Sequence, residues 1–126
     1  MIRAYLLYAG TDGNSHVKKG LISNEAKVLT EHIYFRETPA HESLSWHNDP
    51  VPQYVITLSG VLDFTTKTGE NFTITPGDIL IATDHIGTGH TWRLLNDEPW
   101  KRVYLIFKTG EDLHFVEDQF REDEAN

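Results

Sequence analysis

Residues 53–65 form the strongest extended stretch: Tyr54, Ile56 and Leu58 fall on one face, and Val55, Thr57 and Ser59 on the other. A period of two belongs to an extended strand, and Gly60 inside the run marks a bend at a barrel corner. Shorter stretches of the same kind fill the chain. Residues 2–8, 27–36, 72–74, 79–82, 90–95 and 102–108 are strand candidates, divided by the turn formers at 10–14, 68–71, 76–78 and 96–99. One helix candidate remains, the acidic tail after Gly110, which Phe115 and Phe120 would dock. The expectation is an all-β chain closed into a small barrel, a shape that gathers distant side chains at one interior point.

With 126 residues the chain has room for a single core. The expected organisation is one domain over 1–126, with an N-terminal strand and loop (1–27), a core (28–108) and an acidic tail (109–126). Six Phe, five Tyr and three Trp favour a packed interior over disorder. No cysteine is present, which removes disulfides, thiolate metal sites and cysteine nucleophiles. The net charge of −8 speaks against a nucleic-acid partner, which needs clustered Lys and Arg. No apolar run reaches membrane-span length, and the N-terminus lacks a signal-peptide layout. No membrane partner and a cytoplasmic location are therefore expected.

His47-Asn48-Asp49, three residues, Gln53, six residues and Gly60 form one spaced motif; Gly77, Thr83, His85 and His90 form a second. Together with Phe35-Arg36-Glu37-Thr38-Pro39, Pro76-Gly77-Asp78-Ile79-Leu80 and Gly87-Thr88-Gly89-His90, they resemble the small single-domain cupins, in particular a subgroup without a firmly assigned activity. His41 stands where the first motif has its leading glycine, Asp49 replaces its second His, and Gln53 replaces its Glu. Thr83 and His85 take the Pro and Gly places of the second motif, whose loop is two residues longer. The resemblance implies a double-stranded β-helix of jelly-roll type. It also implies a homodimer, since the N-terminal segment of related cupins often joins a neighbour's sheet.

The same resemblance implies a divalent transition metal (Fe, Zn, Ni or Mn) at His47, Asp49, Gln53 and His90, with a small molecule converted beside it. Imidazole suits these ions, and a carboxylate adds charge balance. His47, Asp49 and His90 also follow the order of the two-His-one-carboxylate iron oxygenases, for which Arg93 or Arg102 would anchor a cosubstrate. A metal-free reading makes His47 a base, as in epimerases and dehydratases of this fold, with Tyr34, Tyr54 or Tyr104 as the acid. A non-catalytic sensory barrel holding an effector is the alternative of a different class.

Three further residues are expected to touch substrate. Arg36 interrupts an apolar strand and, if inward, would hold a carboxylate or phosphate through its planar fork. Trp92 shares the strand face of His90. His85 lies in a glycine-containing loop, 84–89, expected to act as a lid at the barrel mouth.

Overall fold

In the computed structural model, which describes residues 1–47 and 51–118, the chain forms eleven strands and, among the described residues, no helix. They are β1 (Ile2–Ala9), β2 (Ser15–Ile22), β3 (His32–Thr38), β4 (Ser43–His47), β5 (Gln53–Ser59), β6 (Leu62–Thr66), β7 (Asn71–Ile74), β8 (Ile79–Thr83), β9 (His90–Leu94), β10 (Trp100–Ile106) and β11 (Phe115–Glu117). One sheet has the order β11-β2-β1-β8-β5-β10-β3, the other β4-β9-β6-β7. From β3 onward the chain passes between them, giving β3, β10, β5 and β8 against β4, β9, β6 and β7. That is the strand order of an eight-stranded jelly roll. β1, β2 and β11 extend the larger sheet beyond β8, to which β1 pairs in parallel.

Alternation along β5 decides what each sheet face carries. Gln53, Val55 and Thr57 point between the sheets, and Tyr54 and Ile56 point outward, as the period of two requires. The interior holds Tyr5, Leu7, Val55, Leu62, Phe64, Phe72, Ile74, Leu80, Trp92 and Trp100. Phe72 stacks between Tyr5 and Phe64, at centroid distances of 5.0 and 5.1 Å. Burial of each such ring contributes about 2–3 kcal/mol. A second cluster on the outer face joins Tyr54, Ile81 and Phe107 to Leu105, Leu113 and Phe115.

The turns carry their own reasons. Gly60 has φ 97°, and a Cβ there would lie 3.0 Å from a Leu94 methyl, so the corner between β5 and β6 requires glycine. His41, at the place where the resemblance has glycine, does adopt a left-handed φ of 68°. The turn 76–78 is tied to the start of the chain. Asp78 accepts from Arg3 at 3.1 Å and from the backbone and hydroxyl of Thr75 at 2.9 Å, with Arg3 and Asp78 both almost fully buried.

Three strands depart from the sequence expectation. β2 carries Lys18, Lys19 and Gly20 and has little apolar alternation; its form comes from pairing with β1 on one side and β11 on the other. β4 is a short, mostly exposed edge strand. The tail at 115–117 is strand rather than helix. Phe115 packs where a Cβ on Gly20 would stand 2.5 Å from its ring, a close approach that only glycine allows. Residues 119–126, including Phe120, lie outside the described residues, as does Asp49. No helix of the described residues is long and apolar enough to cross a membrane.

Candidate functional site

A cavity of about 370 Å³ opens between the edge strands β3 and β4 and runs into the space between the sheets. Its walls are largely apolar, with Val55, Leu80, Phe64, Trp92 and Trp100. At one end lie His47, at the close of β4, His90, opening β9, and Gln53, opening β5. Antiparallel pairing sets His47 directly across from His90. Their ring centroids are 4.4 Å apart, with planes at 60°.

Each ring is fixed through the same nitrogen. His47 Nδ1 donates to the Ser45 carbonyl at 2.8 Å. His90 Nδ1 donates to Asp84 Oδ2 at 2.9 Å, and that oxygen also accepts from Ser15 Oγ at 2.8 Å. Ser15 Oγ in turn accepts from the Gly89 amide at 2.9 Å. With Nδ1 protonated in both rings, Nε2 is the basic nitrogen, on the far side from the anchor. Desolvation lowers the pKa of His47, with the bond to Ser45 opposing and the neighbouring His90 adding to the fall. His47 is thus a neutral imidazole at pH 7, fit to bind a cation or accept a proton.

Gln53 completes the group. It is 4% exposed, and its Oε1 is buried with no hydrogen-bond partner. An orphaned acceptor at such a depth costs about 1–3 kcal/mol, and a cation or donor arriving in the cavity relieves it. Among the described residues, no three His, Cys, Asp or Glu side chains gather as a metal-holding group. What this end of the cavity supplies is two imidazoles and an amide oxygen, a set that fits a transition ion and binds it less tightly than one containing a carboxylate.

No family model matches the chain, and no curated protein does. Among solved structures, it is similar to a DUF861 family protein of Thermotoga maritima (22% identity, TM-score 0.47, covering 60% of this chain and 77% of that one). It is also similar to a cupin superfamily protein of Desulfitobacterium hafniense (11%, 0.45, 66% and 84%) and to a conserved protein of unknown function from Streptococcus pyogenes (18%, 0.42, 71% and 96%). The strand order of the chain itself is decisive. The fold is a jelly roll.

Within this jelly-roll barrel, His47, Gln53, His90, Arg36 and Trp92 all line the cavity. Trp92 serves the core as well, edge-on to Trp100 at 4.9 Å. Tyr54 does not line it, which corrects the expectation of a Tyr54 acid. It occupies the outward phase of β5, where its hydroxyl donates to the Leu113 carbonyl at 2.7 Å and burial pushes its pKa up to about 12. Tyr34 and Tyr104 are the inward tyrosines, stacked at 4.5 Å. Tyr54→Phe is expected to cost about 1 kcal/mol of stability and to leave ligand binding unchanged, as read by urea unfolding and calorimetry.

His85 is also corrected, being absent from the cavity wall. Its loop is no lid: Gly87 packs onto Ser15, whose amide donates to Thr88 Oγ1 at 3.1 Å, so the loop is bound to β2. Arg93 faces outward and bonds Asp63 at 3.2 Å, which removes it as an anchor. Asp84 and Ser15 carry no signal in the sequence because neither falls in a spaced motif; only the β1–β8 and β1–β2 pairings bring them beside His90.

His16 is absent from the cavity wall and lies between Asp12 at 2.8 Å and Glu70 at 2.5 Å. Its pKa is raised, first by the bond to Asp12 and then by Glu70. Asp12 is lowered to about 2 by the Asn14 amide and by His16. Burial works against ionised Glu70, but bonds from Val17, Thr68 and His16 outweigh it and lower its pKa. The group therefore stabilises the fold fully between the ordinary carboxylate value of about 4.5 and the ordinary His value of 6.5. That contribution fades as pH rises through the raised His16 pKa, and again as pH falls through the lowered carboxylate values. The stability gap between wild type and His16→Gln is expected to peak near pH 5–6 and to narrow by pH 9, measured by urea unfolding across pH.

Proposed function

We propose that this chain is a small-molecule-binding cupin whose site is a divalent transition-metal centre held by His47, His90 and Gln53. The observation that carries the reading is the buried, unpartnered Gln53 Oε1 in a cavity also lined by two imidazoles anchored through Nδ1. Backing of a metal-binding imidazole by a carboxylate, as Asp84 backs His90, is the usual arrangement around such ions. A bound Fe, Zn, Ni or Mn ion would polarise a carbonyl or enolate oxygen of a ligand. The residues themselves orient that ligand between apolar walls, with His47 a neutral donor to the ion. Asp49, outside the described residues, is proposed as a further ligand only on its motif position.

Elemental analysis of tag-free protein, with thermal shifts on adding each ion, tests this. Substoichiometric addition is made in a His16→Gln background so that the Asp12–His16–Glu70 group does not contribute. Expected are metal retained on purification and a stabilising shift abolished by His47→Ala. A metal-free protein that no ion stabilises would overturn the centre and favour a metal-free site with His47 as base.

We further propose a homodimer through the outer face of β3, an edge strand of the larger sheet, where Ile33, Phe35 and nearby Leu58 are 55%, 76% and 57% exposed. β1 is enclosed between β2 and β8 of its own chain, whereas β3 presents a free edge among the described residues. Phe35→Glu is expected to yield monomers by light scattering; dimers indifferent to it would refute this surface.

A further inference from the structure

The cavity has a second polar end. β3 and β10 pair so that Arg36 lies directly across from Arg102, and both side chains line the cavity. Arg36 is exposed at the mouth, whereas Arg102 is 3% exposed. The Arg102 guanidinium lies over the Trp100 ring, its Cζ 3.8 Å from the centroid. Nε donates to the Tyr104 hydroxyl at 2.9 Å, and Nη1 to Thr38 Oγ1 at 2.7 Å and the Trp100 carbonyl at 3.1 Å. A guanidinium has five N–H donors. The two on Nη2 have no partner among the described residues.

All three acceptors are neutral. The arginine–carboxylate pairs among the described residues are Arg3–Asp78 and Arg93–Asp63, and none of these four side chains lines the cavity. Glu42 does line it, yet pairs with neither Arg36 nor Arg102. A buried cation without a counter-ion is costly. Desolvation accordingly lowers the Arg102 pKa, and Arg36 adds repulsion.

At this end of the cavity, two guanidiniums against the one Glu42 carboxylate leave an excess of about one positive charge, which a single carboxylate balances. Along β10, Arg102 is level with Thr57 and Ile106 with Gln53, so the two polar ends are rooted four residues, roughly 13 Å, apart. Arginine's long side chain shortens that span, and Val55, Leu80, Trp92 and Tyr104 lie between.

We propose that Arg36 and Arg102 form a subsite for the carboxylate of a small organic acid, whose apolar body lies against Val55, Leu80 and Trp92 and whose far end reaches His47 and Gln53. This rests on the reading of the cavity as the small-molecule site, and names the class of molecule it takes. The Nη2 edge of buried Arg102 supplies fixed donors, and exposed Arg36 closes on the second oxygen at the mouth.

Benzoate and its neutral isostere benzamide are the probes, titrated calorimetrically into the full chain in chloride buffer, with inorganic phosphate as a third arm. Benzoate is expected to bind and benzamide not. Arg36→Gln, at an exposed position that threatens folding little, is expected to weaken benzoate at least tenfold; Arg102→Lys keeps the charge, loses the fork, and is expected to do the same. Both variants keep wild-type zinc affinity in the His16→Gln background. Equal binding of benzoate and benzamide, unchanged affinity in Arg36→Gln, or binding of phosphate alone would each overturn the carboxylate subsite. Benzoate without effect on a protein that still binds zinc refutes the subsite and leaves the metal centre standing; the reverse pattern refutes the centre and leaves the subsite.

Discussion

Asp84→Asn is expected to lower metal affinity about 10–100-fold while the protein stays folded. The substitution is close to isosteric, and one amide oxygen can still accept from both Ser15 Oγ and His90 Nδ1, since both bond the same oxygen of Asp84. The negative charge is what disappears. Without it the His90 ring is a poorer base at Nε2, and the Nδ1–H tautomer loses its electrostatic preference. The measurement pairs zinc calorimetry with the ring ¹⁵N shifts of His90, which report tautomer directly. Ser15→Ala removes one neutral donor and should cost about 1 kcal/mol in stability with a smaller effect on affinity. An Asp84→Asn variant with unchanged ¹⁵N shifts and unchanged affinity would reduce Asp84 to a packing residue.

Arg3→Ala is expected to destabilise the fold by about 3–5 kcal/mol, the largest stability effect foreseen for any single side chain here. Arg3 and Asp78 are 4% and 1% exposed, and the guanidinium holds Asp78 through both Nε and Nη2. Removal of the cation leaves a buried carboxylate with only Thr75 as donor. It also unties β1 from the turn that feeds β8, the strand beside it. The double variant Arg3→Met/Asp78→Leu should lose far less than the sum of the single variants, because no charge is then stranded. Urea unfolding of the four proteins checks this; additive losses would contradict it.

How far the molecule was legible in its sequence follows from which forces are local. The alternation of 53–65 and its Gly60 corner placed β5 and β6, because strand period and positive φ are properties of a few neighbouring residues. The motif spacing put His47, Gln53 and His90 in one place for the same reason: each opens or closes a strand of fixed phase. Tyr54 was nominated without a phase, and its neighbour Gln53 facing inward sends it out. β2 and β11 were hidden because their pairing, not their composition, makes them strands, with Gly20 accepting the ring of Phe115. Asp84 was harder still. A buried aspartate behind a histidine depends on partners 6 and 69 residues away that only the folded sheets bring together. Arg102 was open in the sequence as an anchor, but its bond to Thr38 comes from the pairing of β10 with β3.

The central claim is that His47 and His90 meet at one ion. One equivalent of Cu(II), as a stand-in, can be added to the His16→Gln protein and its remote imidazole nitrogens counted by pulsed electron paramagnetic resonance. Two coordinated imidazoles are expected, falling to one in His47→Ala. A single imidazole in the parent protein, or a count that His47→Ala leaves unchanged, would contradict the account.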